Sequence, residues 1–413
     1  MLKKPELLAP AGSFAKMRAA IHYGADAVYL GGRKFSLRAH AANFSEAEIA
    51  RAAAYAHEHG VKIYVTVNIL AHNRDFADLP PYLESLGAAQ VDGLIVSDPG
   101  IMRMARNTVP GLPIHLSTQA NVTNLESARF WQEQGVKRIN AARELSLAEI
   151  TEIRNGTDLE IEVFAHGALC ISYSGRCLLS CYLTGRSANR GDCAHPCRYS
   201  YKLIEEKRPG QYFPVEEDQR GTYIFNSRDL CLLNRLPELI GAGVDCLKIE
   251  GRMKTIYYTG AVTRVYRAAL DHLYDNWPET GLPVLDGKFM AELKKVGSRG
   301  YTENFLSDPP ERKDMLYDES HLAPTHHPAG IVVEGGDNPL IDIRNPLLPG
   351  QTVEYLGRRL ASSSHRVIEI IDAEGVRLEK ANPGNLVRLI TEPRPDNWRA
   401  GALLRKEVRQ AAD

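Results

Sequence analysis

No run of the 413-residue sequence approaches the roughly 20 consecutive apolar residues that a membrane-spanning helix requires, and the amino-terminal MLKKPELLAPAG passes straight into a strand-like stretch. The expectation is a cytoplasmic protein with no membrane association. Charge of either sign has no surplus: 50 Lys and Arg stand against 51 Asp and Glu, a net charge of −1. Such a surface exerts no overall pull on nucleic acid, so DNA binding is not expected and contact with RNA would need a local basic patch. Hydrolase signatures are also missing, with no HExxH and no GxSxG. Cysteine is absent from the first 169 residues and from everything after Cys246.

What is present therefore stands out. All seven cysteines fall between Cys170 and Cys246. In a chain read as intracellular, such crowding points to a metal or redox centre, and the odd count argues against complete disulfide pairing. Cys170, Cys177, Cys193 and Cys197 follow Cys-x6-Cys-x15-Cys-x3-Cys in a Gly- and Ser-rich stretch. Thiolates suit soft metals, so iron–sulfur and zinc both qualify; zinc sites usually pair ligands as Cys-x2–4-Cys, a spacing met here only by Cys193 with Cys197 or Cys177 with Cys181, and the set as a whole favours a four-iron cluster. Cys231 begins an apolar helical run and is the reserve ligand, Cys181 is ambiguous, and Cys246, between apolar neighbours on a strand, reads as a core residue.

Around the cysteines the chain alternates short strand-like runs with amphipathic helical stretches. The strands read as Glu6–Pro10, Ala27–Gly31, Lys62–Asn68, Gly93–Asp98, Pro113–Gln119, Arg138–Arg143, Glu160–His166 and Cys246–Glu250. Several intervening helices end at Gly24, Gly60 or Gly135, where a left-handed cap is needed. A doubly wound sheet begins with the same rhythm, but the count of eight favours a (β/α)8 TIM-like barrel. On this reading residues 1–285 form the barrel, with the cysteine-rich insertion at 167–244 before the last strand. Residues 286–325 form a connector, 326–395 a small all-β barrel built from Gly-, Asn- and Pro-punctuated strands that include GVRLEKA, and 396–413 a tail.

Catalytic groups in such barrels sit at the carboxyl ends of strands. That rule nominates Asn68, Asp98, Gln119, Arg143, Glu144, His166, Glu250 and Arg252. Glu144 and Glu250 suit acid–base work, and Arg143 and Arg252 suit clamping a carboxylate, with mutual Arg–Glu ion pairs as the structural alternative. His166 reads either as a proton shuttle beside the cysteines or as a satisfied structural histidine. Arg176, Arg186, Arg190 and Arg198, interleaved with Tyr173, Tyr182, Tyr199 and Tyr201, would suit a splayed RNA base and its phosphates. Arg344, Arg358, Arg359, Arg366, Arg377 and Arg388 offer a second RNA contact or simply a solvated strand face.

The motifs PELLAPAG, GADAVYLGG, HLSTQANVTN, RELSLAEI, HGALCISYSGRCLLSCYLTGRSANRG and LKIEGRMKTIYYTGAVTRVYRAAL resemble the collagenase-like peptidase U32 family over residues 5 to 305. The segment through NWRAGALLRKEV is similar to the extra domain of members that form 5-hydroxyuridine at the tRNA wobble position with prephenate. The resemblance implies an oxygen-independent RNA hydroxylase with tRNA as partner, prephenate as co-substrate and a [4Fe–4S] cluster on Cys170, Cys177, Cys193 and a fourth thiolate, best matched by Cys197. If prephenate is the co-substrate, Arg143, Arg176 or Arg252 would suit its two carboxylates, and Asn68, Gln119 and Tyr173 are expected substrate contacts; some relatives work with a protein partner of the same family. The rival readings are a peptidase, as the family name suggests, a hydroxylase of ribosomal RNA or a quinone precursor, and a non-catalytic RNA-binding protein.

Overall fold

The computed structural model describes residues 3–37, 43–169, 179–188, 191–196, 228–307 and 324–408, together with short strand fragments at 203–204, 212–213, 216–218 and 221–223. Eight parallel strands close into a barrel: β1 (Glu6–Pro10), β2 (Ala27–Gly31), β3 (Lys62–Val67), β4 (Gly93–Val96), β5 (Ile114–Leu116), β6 (Arg138–Asn140), β7 (Glu160–Gly167) and β8 (Cys246–Ile249). The last strand lies between β1 and β7 and pairs in parallel with each, Glu6 opposite Cys246 on one side and Glu162 opposite Cys246 on the other. Between β7 and β8 the chain lays down a short strand, Asp229–Cys231, antiparallel to the end of β7.

Local chemistry explains the rhythm. Ser45 with Glu48 and Ser146 with Glu149 form reciprocal capping boxes that start helices Glu46–Glu58 and Leu147–Gly156, and Asp98 caps helix Pro99–Thr108 ahead of a proline in the first turn. Helix exits use Gly24, Gly60, Gly135 and Gly243, all at positive φ. Among the described residues no helix is long and apolar enough to cross a membrane.

The pleat sorts the barrel strands into two chemically distinct faces. One set, Leu7, Ala9, Val28, Leu30, Ile63, Val65, Leu94, Val96, Ile139, Ile161 and Leu247, joins the large apolar core shared with the helices. The alternate set is unusually polar for a barrel lumen, which branched apolar residues normally fill. Arg138 donates to Glu160 at 2.7 and 2.9 Å and to Glu6 at 2.7 Å. Lys248 reaches Glu162 at 2.7 Å, and Asn140 donates to the same carboxylate oxygen at 2.8 Å. Arg138, Glu162 and Lys248 are all buried. Cys246 lies among them with its thiol 3.7 Å from both Glu6 and Glu162, fully buried, so the core assignment of this cysteine agrees with its place.

A second, smaller barrel follows: β9 (His326–Glu334), β10 (Leu340–Ile343), β11 (Thr352–Leu356), β12 (Ser362–Ile371), β13 (Leu386–Glu392) and β14 (Leu403–Glu407), closed in the order β9-β10-β13-β12-β11-β14. Three expectations need correction. Residues 396–413 are not merely a tail, because β14 pairs with β9 and β11 and closes this barrel with Leu403, Leu404 and Arg405 buried. GVRLEKA forms no ladder strand; its residues are largely exposed and make only isolated bridges, at Arg377 to Ile371 and at Ala381 to Leu347. Part of the supposed connector is also built in, since helix Gly287–Lys294 buries Phe289 and Leu293 in the large core. Glu292 of that helix accepts from Arg264 at 2.6 Å and from the fully buried Arg405 at 3.0 Å, tying the two barrels together. The Tyr23 hydroxyl adds to the joint by donating to the Leu356 carbonyl and accepting from the Leu403 amide, each at 2.8 Å.

Breaking a buried ion pair by removing one partner costs about 3–5 kcal/mol because a charge is left uncompensated, whereas replacing both partners with apolar groups is often neutral. Lys248→Met is therefore expected to lower the urea-unfolding free energy by that amount, with much of the loss recovered when Glu162→Leu is added. A loss of less than about 1 kcal/mol for the single variant would show that the lumen charges contribute little.

Candidate active site at the barrel mouth

Three glycines let the strand ends approach one another at the mouth. A Cβ on Gly12 would lie 1.9 Å from the Arg252 carbonyl oxygen, one on Gly31 would strike the Arg252 guanidinium and the Ser36 hydroxyl, and one on Gly167 would lie 2.5 Å from the Glu250 carbonyl. Gly167 also has a φ of +116°. The motifs PELLAPAG, GADAVYLGG, HGALC and LKIEGRMK thus meet at one place, and their glycines are required by the packing of Glu250 and Arg252.

Arg252 is buried and donates to Ser36 at 3.0 Å, to Thr66 at 3.3 Å and to the Leu37 carbonyl. Those bonds fasten the segment after β2 to the floor of the mouth, so anchoring replaces the carboxylate-clamp role expected of this residue. Asn68 and Gln119 are brought together: the Asn68 amide donates to Gln119 at 2.8 Å, and its oxygen accepts from the Leu37 amide at 3.2 Å. Gln119 also accepts from the Ser117 hydroxyl at 2.5 Å. Glu250 is half-buried, and its carboxylate accepts from the Tyr29 hydroxyl at 2.9 Å. Tyr258 donates to the Glu250 carbonyl at 2.9 Å. Glu144 is half-buried and its pKa is raised by that burial. The Arg143 guanidinium stacks 3.8 Å from the centroid of the Phe164 ring, whose surroundings include the Lys248 ammonium at 5.4 Å.

His166 does not behave as a proton shuttle. Its ring is buried among Tyr258, Tyr266 and Tyr301 at centroid distances of 6.0, 5.5 and 5.5 Å. The Tyr266 hydroxyl donates to the Ala165 carbonyl at 2.8 Å and stands 3.4 Å from His166 Nδ1 and 3.8 Å from the Cys231 thiol. Burial pushes the His166 pKa down to about 4, against the pull of Asp229, so the imidazole is neutral at ordinary pH. Burial likewise pushes the Cys231 thiol up to about 11. A cysteine protease needs the reverse, a lowered thiol and a raised imidazole, so this neighbouring pair lacks nucleophilic character.

Of the expected ligands, Cys193 is described and is a free, partly exposed thiol. It is held from both sides: Arg186 donates to Asp192 at 2.9 Å, and the Ala194 amide donates to the Ser180 hydroxyl at 3.0 Å. The His195 amide points at the Cys193 sulfur at 3.4 Å, the kind of N–H···S contact that favours a thiolate. Cys181 is free and exposed, whereas Cys231 is packed in the large apolar core. Cys170, Cys177, Cys197, Tyr173 and Arg176 lie outside the described residues, as do Arg190, Arg198, Tyr199 and Tyr201. Among the described residues no group of three or more His, Cys, Asp or Glu side chains is arranged to hold a metal ion. Cys193, a free thiol with an amide directed at its sulfur, offers the soft donor a metal cluster would need.

Sequence reasoning overlooked Tyr29, Ser36 and Thr66, which hold Glu250 and Arg252, and the lumen charges Glu6, Arg138, Glu162 and Lys248. A signal for the latter existed in the two-residue spacing of Lys248 and Glu250 and of Glu160 and Glu162 within otherwise apolar strands.

Comparison with known proteins adds an independent line. A family model described as peptidase family U32 matches residues 12–316. A tRNA hydroxylation protein P1 from Bacillus subtilis is 40% identical over 382 residues, covering 92% of this chain and 90% of that protein. A tRNA hydroxylation protein P from Escherichia coli is 41% identical over 347 residues, 73% of this chain and 74% of that protein. A 23S rRNA 5-hydroxycytidine C2501 synthase from Escherichia coli is 38% identical over 306 residues, 73% of this chain but 45% of that protein.

The neutral state of His166 has a thermodynamic consequence. Its folded pKa lies below the unfolded value, so the unfolded chain binds the extra proton and stability falls as pH drops from about 6.5 toward 4. Between pH 7 and pH 5 the expected loss from this residue is about 2 kcal/mol. A His166→Phe variant, compared with the parent by denaturant unfolding at the two pH values, should lose that share of the pH dependence. An imidazole that titrates near pH 6.5 in the folded protein by NMR would contradict the burial argument.

Proposed function

The chain belongs to peptidase family U32, and from that membership we propose that it is an RNA-modifying enzyme that hydroxylates a pyrimidine base, with the tRNA wobble uridine as substrate and 5-hydroxyuridine as product. The observation that carries this reading is the 40% identity to a tRNA hydroxylation protein across 92% of this chain, both barrels included. The likeness to an rRNA hydroxycytidine synthase supports the chemistry, attack at C5 of a pyrimidine, independently of the RNA that presents it.

In this proposal the flipped base enters the mouth, and the Asn68–Gln119 amide pair offers donors and acceptors to its edge. Glu250, oriented by the Tyr29 hydroxyl, is placed to accept a proton from the base, and the raised pKa of Glu144 suits a proton donor. Arg143, stacked on Phe164, and Arg176 are the arginines for the carboxylates of prephenate, the proposed oxygen source. Cys170, Cys177, Cys193 and Cys197 would hold a [4Fe–4S] cluster, with Cys231 less suited because its thiol is buried and strongly protonated. When bound, the cluster supplies one-electron redox chemistry beside the mouth. His166 and its three tyrosines wall off the mouth from the helix Ile256–Asp275 side and keep its geometry fixed.

The peptidase alternative suggested by the family name finds little support among the described residues, where the Cys231–His166 neighbours carry pKa shifts opposite to those of a thiolate–imidazolium pair.

The test is nucleoside mass spectrometry of tRNA from cells lacking the gene and from cells complemented with the parent, Glu250→Gln or Cys193→Ala chain. The parent should restore a uridine that has gained one oxygen, Glu250→Gln should lower its amount at least tenfold, and Cys193→Ala should abolish it. An RNA pool unchanged by the parent gene would sink the proposal.

A further inference from the structure

A cleft of about 1040 Å³ opens at the foot of the large barrel, at the pole opposite the mouth, and the small barrel forms one of its walls. Its carboxylates are already engaged: Asp245 by Lys3 at 2.9 Å, Asp271 by Lys4 at 2.6 Å, and Asp26 by Arg267 at 3.0 Å. Three lining arginines, Arg18 from helix Phe14–His22, Arg358 from the β11–β12 hairpin and Arg399 from the segment before β14, have no such carboxylate partner among the described residues, and all three are exposed. Burial, and after it the charges of the nearby Arg358 and Arg399, push the His22 pKa down to about 4. By contrast, Arg344, Arg377 and Arg388 elsewhere on the small barrel are paired with Asp342, Glu369 and Glu334. The positive charge left uncompensated at this cleft is therefore contributed by residues of both barrels.

Aromatic groups stand beside those arginines. Tyr55 and His59 also line the cleft, with ring centroids 4.3 Å apart at an interplanar angle of 30°, and the Arg18 guanidinium lies 5.9 Å from the Tyr55 ring. Guanidinium groups suit phosphate oxygens, and flat rings, here the exposed His59 beside the half-buried Tyr55, suit an unstacked base. Acidic protein surfaces would use the arginines but have no need of the ring pair. A cleft this wide and open is also poorly shaped to enclose a small metabolite, whose pockets bury most of the ligand surface.

We propose that this inter-barrel cleft binds the sugar–phosphate strand of the substrate RNA, with Arg18, Arg358 and Arg399 on phosphates and the Tyr55–His59 pair against a base. The inference rests on the RNA-modification reading above and extends it by placing a second contact far from the mouth. It accounts for how a chain of net charge −1 can hold a polyanion, because the required basic patch exists only once the two barrels are docked.

The experiment is fluorescence anisotropy of an unmodified tRNA transcript with the full chain between about 50 and 200 mM salt, where phosphate contacts dominate the response. Arg358→Gln/Arg399→Gln should weaken binding roughly tenfold or more and flatten the slope of log affinity against log salt by about one to two, since each lost phosphate contact removes about 0.7 for a single strand. Arg103→Gln/Arg394→Gln, which removes the same charge from exposed positions outside the cleft, should change affinity less than about twofold, and Tyr55→Leu should weaken binding without altering the slope. Cleft and control pairs that behave alike, with tight binding by the parent, would overturn the cleft assignment and leave the RNA reading standing. A parent chain that binds no RNA would overturn both.

Discussion

Parallel closure of the large barrel by β8, inserted between β7 and β1, is the constraint on which the rest of the structure depends. Because β7 and β8 run in the same direction, the chain leaves β7 at the mouth and must return to the foot before β8 can begin. It does so through Asp229–Cys231, which runs antiparallel to β7, and the short helix Leu236–Gly241. The cysteine-rich stretch is therefore anchored to the mouth at both of its ends, beside the Gly167–Glu250 contact that only glycine permits.

The same closure explains the contrast between the two faces of each barrel strand. Outward residues meet helices and are apolar, while inward residues converge on one axis, where Glu6, Arg138, Glu162 and Lys248 neutralise one another across strands distant in sequence. Lumen charges fix side-chain positions by directional bonds, and the uppermost lumen residues inherit that order: Tyr29 faces Lys248 at 4.6 Å on its ring and directs its hydroxyl to Glu250. A carboxylate oriented this way meets the demand that catalytic groups be held by their surroundings before the substrate arrives. At the other pole, the Arg264–Glu292–Arg405–Glu354 network docks the small barrel and so builds the cleft that neither barrel could form alone.

Most of the barrel was legible in the sequence because its signals are local. Alternation marked every strand to within a few residues, and Gly24, Gly60 and Gly135 announced helix exits through the positive φ they supply. The strand Leu403–Glu407 escaped notice because LLRKE looks like the end of a helix or tail, and only the open edge between β9 and β11 makes it a strand. Arg252 was recognised as important but for a different reason, since its partners Ser36 and Thr66 lie 216 and 186 residues away and carry no pattern of their own. His166 posed the same difficulty: its position at a strand end was readable, but the three tyrosines that exclude water from it come from two later segments. Which arginines remain uncompensated is likewise a property of the folded surface, as Arg377 with Glu369 and Arg358, which has no carboxylate partner among the described residues, illustrate.

The central claim, a redox cluster on the cysteine stretch serving base hydroxylation at the mouth, is most directly tested by metal analysis of the chain purified without oxygen. The account predicts about four irons and four acid-labile sulfides per chain with a broad visible absorption band, all lost in Cys193→Ala and retained in Cys246→Ala and Cys231→Ala. One zinc with no sulfide, or a cluster indifferent to Cys193, would contradict it.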